Sequence, residues 1–333
     1  PAVSQMTRLL AEKDQAKEDL GADYPLRQPS FCVGCPERPI FSAIKILERE
    51  LGRTHVSADI GCHTFAALPP FNIGHTVMGY GLGLASSAGV RPNMDKRVLS
   101  IMGDGGFWHN GMSSGVAAAQ ANGNDAVLMV IQNGYTSATG WQLLPSSRRD
   151  RHGKTRDMSI PKAMKGLGVN WLRTVRTYHV GTMLKTLREA MTTAQGGLKV
   201  IIADGECMLA TQRRIRPENA RKLADGERVV RTRFGVDDDV CTGDHSCIRL
   251  SGCPSLTIKP SPDPLRTDPV AHVNNDCVGC GTCGEVAHAA VLCPSFYEAR
   301  IVQNPGWIDR LLDRMRRRVI ARLAPQPAAP SPS

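Results

Sequence analysis

Two apolar runs bracket the middle of the chain. Arg97-Val98-Leu99-Ser100-Ile101-Met102 is short and β-branched, and Gly103-Asp104-Gly105-Gly106 breaks it. A helix-capable stretch rich in Ala, Met and Ser follows from Asn110 to Gln120. Next comes Ala126-Val127-Leu128-Met129-Val130-Ile131, closed by Gln132-Asn133-Gly134. Runs without polar alternation are buried on both faces, so this strand–turn–helix–strand order predicts a βαβ unit of a parallel sheet. Toward the other end, Ile308, Leu311, Leu312, Met315, Val319, Ile320 and Leu323 recur near helical spacing. They predict an amphipathic helix over Trp307–Leu323 that packs on the domain or on a partner subunit. Residues 325–333 are rich in Pro, Ala and Ser and read as a disordered tail. Residues 1–27 are polar and charged and read as a tail or linker, and 211–240 as a linker between two domains.

Asp104 and Asn133 each stand at the carboxyl end of a predicted strand, where an open α/β sheet holds its ligands. A carboxylate and an amide oxygen there suit a Mg²⁺ that bridges a diphosphate. Gly103, Gly105 and Gly106 would let backbone amides approach phosphate closely at a helix N-terminus. A lone Gly-Asp-Gly is often just a turn, but followed by Asn at the end of the next strand it resembles the thiamine-diphosphate motif.

The eleven cysteines add redox chemistry. Cys277, Cys280 and Cys283 form C-x2-C-x2-C, followed by Cys293-Pro294, the phrase of a bacterial 4Fe–4S ferredoxin. Upstream, Cys241, Asp244, Cys247 and Cys253-Pro254 repeat the phrase with aspartate in one cysteine slot. The trailing cysteine ligates the other cluster. One cluster would therefore take Cys241, Asp244, Cys247 and Cys293, the other Cys277, Cys280, Cys283 and Cys253. Residues 284–292 lengthen the usual spacing before Cys293, which reads as an inserted helical turn and leaves that assignment open. The harder oxygen of Asp244 makes a 3Fe–4S centre possible there. A zinc ribbon has no use for the two Cys-Pro tails, and an odd count in a long chain argues against a disulfide framework. Cys32, Cys35, Cys62 and Cys207 remain, as ligands of a third cluster, a redox-active C-x-x-C, or buried thiols.

Together these motifs resemble the 2-oxoacid:ferredoxin oxidoreductases, and most closely the large subunit of the indolepyruvate-type enzymes. The matching segments are Cys32-Val-Gly-Cys-Pro-Glu-Arg-Pro-Ile-Phe41, Asp59-Ile-Gly-Cys-His-Thr64, Leu68-Pro-Pro-Phe71, Gly103 to Gly111, Asn133 to Gly140 and the ferredoxin run. The resemblance implies a thiamine-diphosphate-binding α/β domain over 28–210 and a small two-cluster ferredoxin-like domain over 241–300, with the amphipathic helix and tail over 301–333. It implies that Cys32, Cys35, Cys62 and Cys207 hold a third cluster, that the Tyr135 carbonyl completes the Mg²⁺ shell, and that Gly61, Cys62 and His63 border the cofactor. It further implies oxidative decarboxylation of 2-oxo acids, arylpyruvates such as indolepyruvate, to acyl-coenzyme A, with electrons passing to an external ferredoxin. The alternatives are an electron-transfer subunit without its own turnover, or a relative acting on pyruvate or another 2-oxo acid. A pyrimidine-binding domain or subunit, which would supply the catalytic glutamate, and a gamma- or beta-type partner subunit are also implied.

The net charge of +10 is concentrated at Arg148, Arg149, Arg151 and Lys154, at Arg213, Arg214 and Arg216, and at Arg314, Arg316, Arg317 and Arg318. No nucleic-acid motif or aromatic platform accompanies it, so no nucleic-acid partner is expected. A solvated basic face, or steering of an acidic ferredoxin, accounts for it. No run of 18 apolar residues and no signal-peptide core occur, and cluster cysteines need a reducing compartment, so the expectation is a cytoplasmic protein with no membrane association.

Overall fold

A computed structural model describes residues 2–20, 29–147, 152–153 and 158–323. The basic loop at Arg148, Arg149, Arg151 and Lys154 and the segment 325–333 lie outside the described residues. The chain divides into two units, Pro1–Ser30 and Phe31–Ser333. In the first, the stretch expected as a tail contains helix α1, Ala2–Leu20, laced by an Arg8–Glu12 ion pair and a Gln15–Asp19 hydrogen bond at i,i+4.

The second unit is built on a six-stranded, fully parallel sheet ordered β2-β1-β3-β4-β6-β5. Its strands are β1 (Val56–Ala58), β2 (Thr76–Val77), β3 (Leu99–Gly103), β4 (Val127–Gln132), β5 (Trp171–Arg176) and β6 (Lys199–Asp204). Alternate residues of the two apolar runs face opposite layers. Ile101, Met129, Ile131 and Ile201 meet α2 (Arg38–Leu51) and α7 (Val180–Thr192) through Phe41, Ile44 and Leu187. Met102, Leu128, Val130 and Ile202 meet Phe107, Val116 and Ala119 on the helix after β3, and Ile160 and Met164 of α6 (Ile160–Gly166). Burial on both faces is why these strands carry no polar alternation. The α/β parallel-sheet domain expected from the pattern is present, and its family match is given below.

The helix after β3 differs from expectation. It starts at Asp104, immediately at the strand end, and runs as α4 (Asp104–Gly106), a π-helical stretch Phe107–Ala117 and α5 (Ala118–Ala121). Gly105 and Gly106 therefore lie inside the first helical turn, not in a breaking loop. A Cβ on Gly105 would strike the Tyr80 hydroxyl, and one on Gly106 the Asp59 carboxylate. These two positions are glycine for space, which sequence cannot distinguish from a turn.

At the opposite, amino-terminal edge of the sheet, Lys199 is wholly buried and paired with Asp125, which also accepts from Arg97 Nε at 2.9 Å.

Residues 211–240 are not a featureless linker. They comprise the end of α8 (Met208–Ala224) and β7 (Val229–Val236), which pairs antiparallel along its full length with β10 (Phe296–Gln303). That pairing spans the whole cysteine-rich segment, so no local pattern announces it. Between the two strands lie α9 (Ser246–Ser251), the β8–β9 hairpin (Leu256–Lys259, Val270–Val273) and α10 (Thr282–Val291). The insertion before Cys293 is α10, closed by Leu292 in the left-handed region at φ 51°. The cysteine-rich segment belongs to the same compact unit as the sheet domain. Arg38 Nη1 donates to Ser251 O at 3.0 Å and Ser42 Oγ to Leu250 O at 2.7 Å, seating α9 on α2.

Helix α11 spans Trp307–Leu323 as the spacing predicts. Among the described residues none of its side chains is buried, and Ile308, Leu312, Val319 and Ile320 are exposed, so of the two expected packings the one on the domain is not found. It is tied at its start by a two-pronged Arg228–Asp309 pair at 2.7 and 2.9 Å. No helix among the described residues is long and apolar enough to cross a membrane.

Candidate functional site

The loops leaving the carboxyl ends of β1, β3, β4 and β6 converge, as the parallel topology requires. After β1, the buried Asp59 accepts from Gly81 N at 2.9 Å through Oδ2, and its Oδ1 meets His63 Nε2 at 2.6 Å. Burial opposes a charged His63, but the Asp59 bond and the nearby Glu37 outweigh it and raise the imidazole pKa. Gly61 is extended, and a Cβ there would meet the His63 ring at 2.6 Å. The segment Gly61-Cys62-His63 thus packs tightly against Asp59.

After β3, Asp104 Oδ1 accepts from Gly105 N at 3.0 Å and Oδ2 from Gly134 N at 2.7 Å. Gly134 belongs to the turn after β4. There Asn133 Oδ1 accepts from Tyr135 N at 3.1 Å and Ser137 Oγ at 3.0 Å, and the Tyr135 carbonyl receives Ser137 Oγ at 3.4 Å. Asp104, remote in sequence from Asn133 and Tyr135, is therefore joined to their turn. Burial pushes the Asp104 carboxyl up to about 7 against the pull of these amides. A divalent cation is the kind of partner that would hold such a carboxylate ionised, and one carboxylate with neighbouring carbonyl oxygens is a Mg²⁺ donor set. Gly103 has an extended backbone at φ −74°, ψ 158°, and Gly105 and Gly106 follow it buried in the first helical turn.

Replacing Gly106 with Ala is expected to cost about 1–3 kcal/mol by forcing the Asp59 carboxylate aside. Gly181→Ala, on α7 with nothing near its Cβ position, is the control. It should leave stability equal or raise it by about 0.5–1 kcal/mol. Urea denaturation of both variants decides the point, and equal midpoints would refute it.

Asn133 is tied into the site by Glu37 as well. Its Nδ2 donates to Glu37 Oε1 at 3.2 Å, while Glu37 Oε2 is buried without a protein partner. Burial raises the Glu37 pKa despite His63 and the Asn133 bond. A cavity of about 390 Å³ opens beside the turn, walled by Asn133, Tyr135, Ser147, Asp204, Glu206 and Arg214. That size accommodates a small molecule.

Cys207 N donates to Asn133 O at 3.0 Å, which sets the first thiol group next to the same turn. Cys32 is exposed, Cys35 and Cys207 are buried, and Cys62 is intermediate. Cys32 and Cys62 each interact electrostatically with Cys207, and Cys62 with Cys35, so the four form one group. Burial, with Glu37 adding to it, raises Cys32, Cys35 and Cys62, the last to about 12.

The other cysteines gather into two separate small cavities. One is lined by Cys241, Asp244, Cys247 and Cys293, together with His245 and Ser295. The other is lined by Cys253, Cys277, Cys280 and Cys283, together with Arg38 and Val33. Each cavity thus draws one of its four candidate ligands, Cys293 or Cys253, from the opposite phrase. Ser246 Oγ donates to Asp244 Oδ2 at 2.6 Å and holds that carboxyl below its ordinary pKa, so it is an ionised oxygen donor. Among the described residues, no three His, Cys, Asp or Glu side chains converge on a single point as they would for one metal ion. A cubane takes each thiolate at a different corner, so its ligands wall a cavity instead. The cavity walls carry the donor types that such a cluster uses.

Glu37, Arg38, Asp59, Tyr80 and Glu206 were not among the residues singled out from the sequence, and Arg214 appeared there only within a basic cluster. Glu37, Arg38 and Asp59 stand inside the segments that carry the resemblance, which was the available signal. Their burial was not legible.

The family described as "Thiamine pyrophosphate enzyme, C-terminal TPP binding domain" matches residues 59–203. The "Indolepyruvate oxidoreductase subunit IorA" of Thermococcus kodakarensis is 27% identical over 291 residues, covering 83% of this chain and 42% of that protein. Its namesake from Methanothermobacter thermautotrophicus is 28% identical over 281 residues, covering 82% and 41%. The chain thus spans about two fifths of the length of the curated relatives it matches. Among solved structures, a 2-oxoglutarate:ferredoxin oxidoreductase from Magnetococcus marinus aligns with a TM-score of 0.49 at 18% identity, over 56% of this chain and 67% of that one.

Proposed function

Because the chain belongs to the 2-oxoacid:ferredoxin oxidoreductase superfamily, corresponding to the C-terminal, thiamine-diphosphate-binding portion of an IorA-like large subunit, we propose that it takes part in oxidative decarboxylation of 2-oxo acids to acyl-coenzyme A with electron delivery to ferredoxin. The observation that most supports this reading is the 2.7 Å bond from Gly134 N to Asp104, which joins the Gly-Asp-Gly and Asn elements at adjacent strand ends. Asp104, the Asn133 side-chain oxygen and the Tyr135 carbonyl would hold Mg²⁺ and through it the diphosphate. Gly61, Cys62 and His63 would border the cofactor. When bound, thiamine diphosphate supplies the electron sink for loss of CO₂, and iron–sulfur clusters supply one-electron acceptors.

The chain's own groups prepare that chemistry. Asp59 fixes His63 on the Asp104 side of the sheet and aligns the Gly81 and Gly103 amides. Glu37 orients the Asn133 amide so that its oxygen faces the Tyr135 turn. The Cys32, Cys35, Cys62 and Cys207 group, joined to Asn133 by the backbone hydrogen bond from Cys207 N, is suited to hold the cluster nearest the cofactor. The sets Cys241, Asp244, Cys247, Cys293 and Cys253, Cys277, Cys280, Cys283 would hold the outward pair. Asp244 makes a 3Fe–4S centre the alternative in its set. Arylpyruvate preference follows the names of the relatives. In the wall of the 390 Å³ cavity Arg214 is paired with Glu206 at 3.2 Å, so a substrate carboxylate would have to compete with Glu206 for it.

The complete protein, purified anaerobically with its partner subunit, should contain about twelve iron and twelve sulfide per chain, or about eleven iron with a 3Fe–4S centre. Adding indolepyruvate, phenylpyruvate or pyruvate with thiamine diphosphate and coenzyme A should give an organic radical signal by electron paramagnetic resonance. Relative rates then rank the substrates. Material without acid-labile sulfide ends this reading.

A further inference from the structure

Consecutive residues at the start of α2 face two different sites. Glu37 turns toward Asn133, whereas Arg38 points into the cavity walled by Cys253, Cys277, Cys280 and Cys283. Arg38 is fully buried. Only its Nη1 has a protein partner, Ser251 O at 3.0 Å, and Nε and Nη2 have none. A buried guanidinium with unpaired donors is expensive, and it cannot escape by losing its proton. Its surroundings explain it once thiolates are counted, since it shares a cavity wall with Cys253, Cys277, Cys280 and Cys283 and also feels the charge of Cys35. The two cysteine sets are also pressed together here. A Cβ on Gly34, between Cys32 and Cys35, would strike Val278 and come within 2.8 Å of Met208. Tyr178 spans the same seam, its hydroxyl donating to Gly34 O at 2.7 Å.

We propose that Arg38 is a positioning residue for electron transfer, donating Nε–H and Nη2–H to the cluster held by Cys253, Cys277, Cys280 and Cys283 and raising that cluster's reduction potential. The inference rests on the iron–sulfur reading above. A cluster with four thiolates is anionic and gains a further negative charge on reduction, so a fixed cation and hydrogen bonds to sulfur favour the reduced form. The step is transfer of one electron from the reduced cluster of the Cys32 set to the oxidised cluster beside Arg38. No bond forms or breaks and no proton moves, because the guanidinium stays protonated throughout. Arg38 thus makes this cluster the downhill first stop between the cofactor and the Asp244 set.

The test is a redox titration of the anaerobic holoprotein, followed by electron paramagnetic resonance, for the native protein, Arg38→Met and Arg38→Lys. Iron and sulfide are counted for each. In Arg38→Met, the one-electron equilibrium constant of one cluster should fall about tenfold, about 59 mV, with the Asp244-set cluster unmoved. Arg38→Lys, which keeps the charge but loses the planar fork, should shift less in the same direction. Unchanged potentials in Arg38→Met overturn the proposal, as does an equal shift of every cluster. If Arg38→Met fails to assemble, Arg38→Lys carries the test. Loss of that cluster in both variants makes Arg38 a structural support and overturns a potential-setting role. Absence of iron and sulfide from the native protein sinks the iron–sulfur reading itself, an outcome distinct from all of these.

Discussion

Asp104→Ala in the complete protein should weaken thiamine diphosphate binding in the presence of Mg²⁺ by at least about a hundredfold, roughly 2.7 kcal/mol. The substitution removes the only carboxylate in the proposed donor set and frees the Gly134 amide that ties the β4 turn to β3. The loss should be specific to the cofactor, since Asp104 lies at the strand end and not in the apolar layers. Titration calorimetry with and without Mg²⁺ measures it. An affinity within about threefold of the native protein would remove Asp104 from the cation site. A pH dependence accompanies the prediction. Burial raises this carboxyl to about 7, and a proton competes with a divalent cation for it. Native affinity should therefore decline as pH falls below about 7, and the decline should be absent in Asp104→Ala.

Asp125→Ala should destabilise the fold by about 3–5 kcal/mol, because it strands the wholly buried Lys199 as an uncompensated cation. Asp125→Ala with Lys199→Met should recover most of that loss, since an apolar side chain of similar length then fills the space. The sign of the pH dependence follows from the lowered Asp125 pKa. Burial alone would raise it, but the Arg97 and Lys199 hydrogen bonds and charges prevail. A carboxylate depressed on folding contributes stability that is complete above its unfolded pKa of about 3.9 and is lost as pH falls through the folded value. Native stability should therefore have an acid limb below about pH 4 that is shallower in the double variant, which keeps only the contribution of the other carboxylates. Urea unfolding across that range gives the comparison. Equal midpoints for native and Asp125→Ala would show that Lys199 finds another partner.

The βαβ reading was legible because Leu128, Met129, Val130 and Ile131 are apolar at every position, and only a strand buried on both faces requires that. The helix Trp307–Leu323 was legible from a spacing of three and four. The linker reading of 211–240 failed for the complementary reason. Val229–Val236 is a polar-rich edge strand whose partner, Phe296–Gln303, lies beyond the whole cysteine segment. Cross-strand pairs hold such a strand, and a pair at that separation leaves no trace within either strand. The double-glycine turn failed because Gly105 and Gly106 answer to Tyr80, Thr136 and Asp59, which are remote in sequence. Trp307 and Leu323 of α11 are exposed, so the domain does not cover the helix's apolar positions.

By itself, the amino-acid sequence determined the chemical repertoire. Residue type and short-range spacing dictate which donors exist and on which local element each sits, as for Cys277, Cys280 and Cys283 or Asp104 at the end of an apolar run. The tertiary structure alone decided which donors meet. It brought Cys253 and Cys293 each across to the other phrase, set Cys207 one hydrogen bond from Asn133, and aimed Glu37 and its neighbour Arg38 at different sites. Those assignments depend on how helices and strands far apart in the chain pack to bury their apolar faces. Packing is a property of the whole folded chain, and no window along it carries the answer.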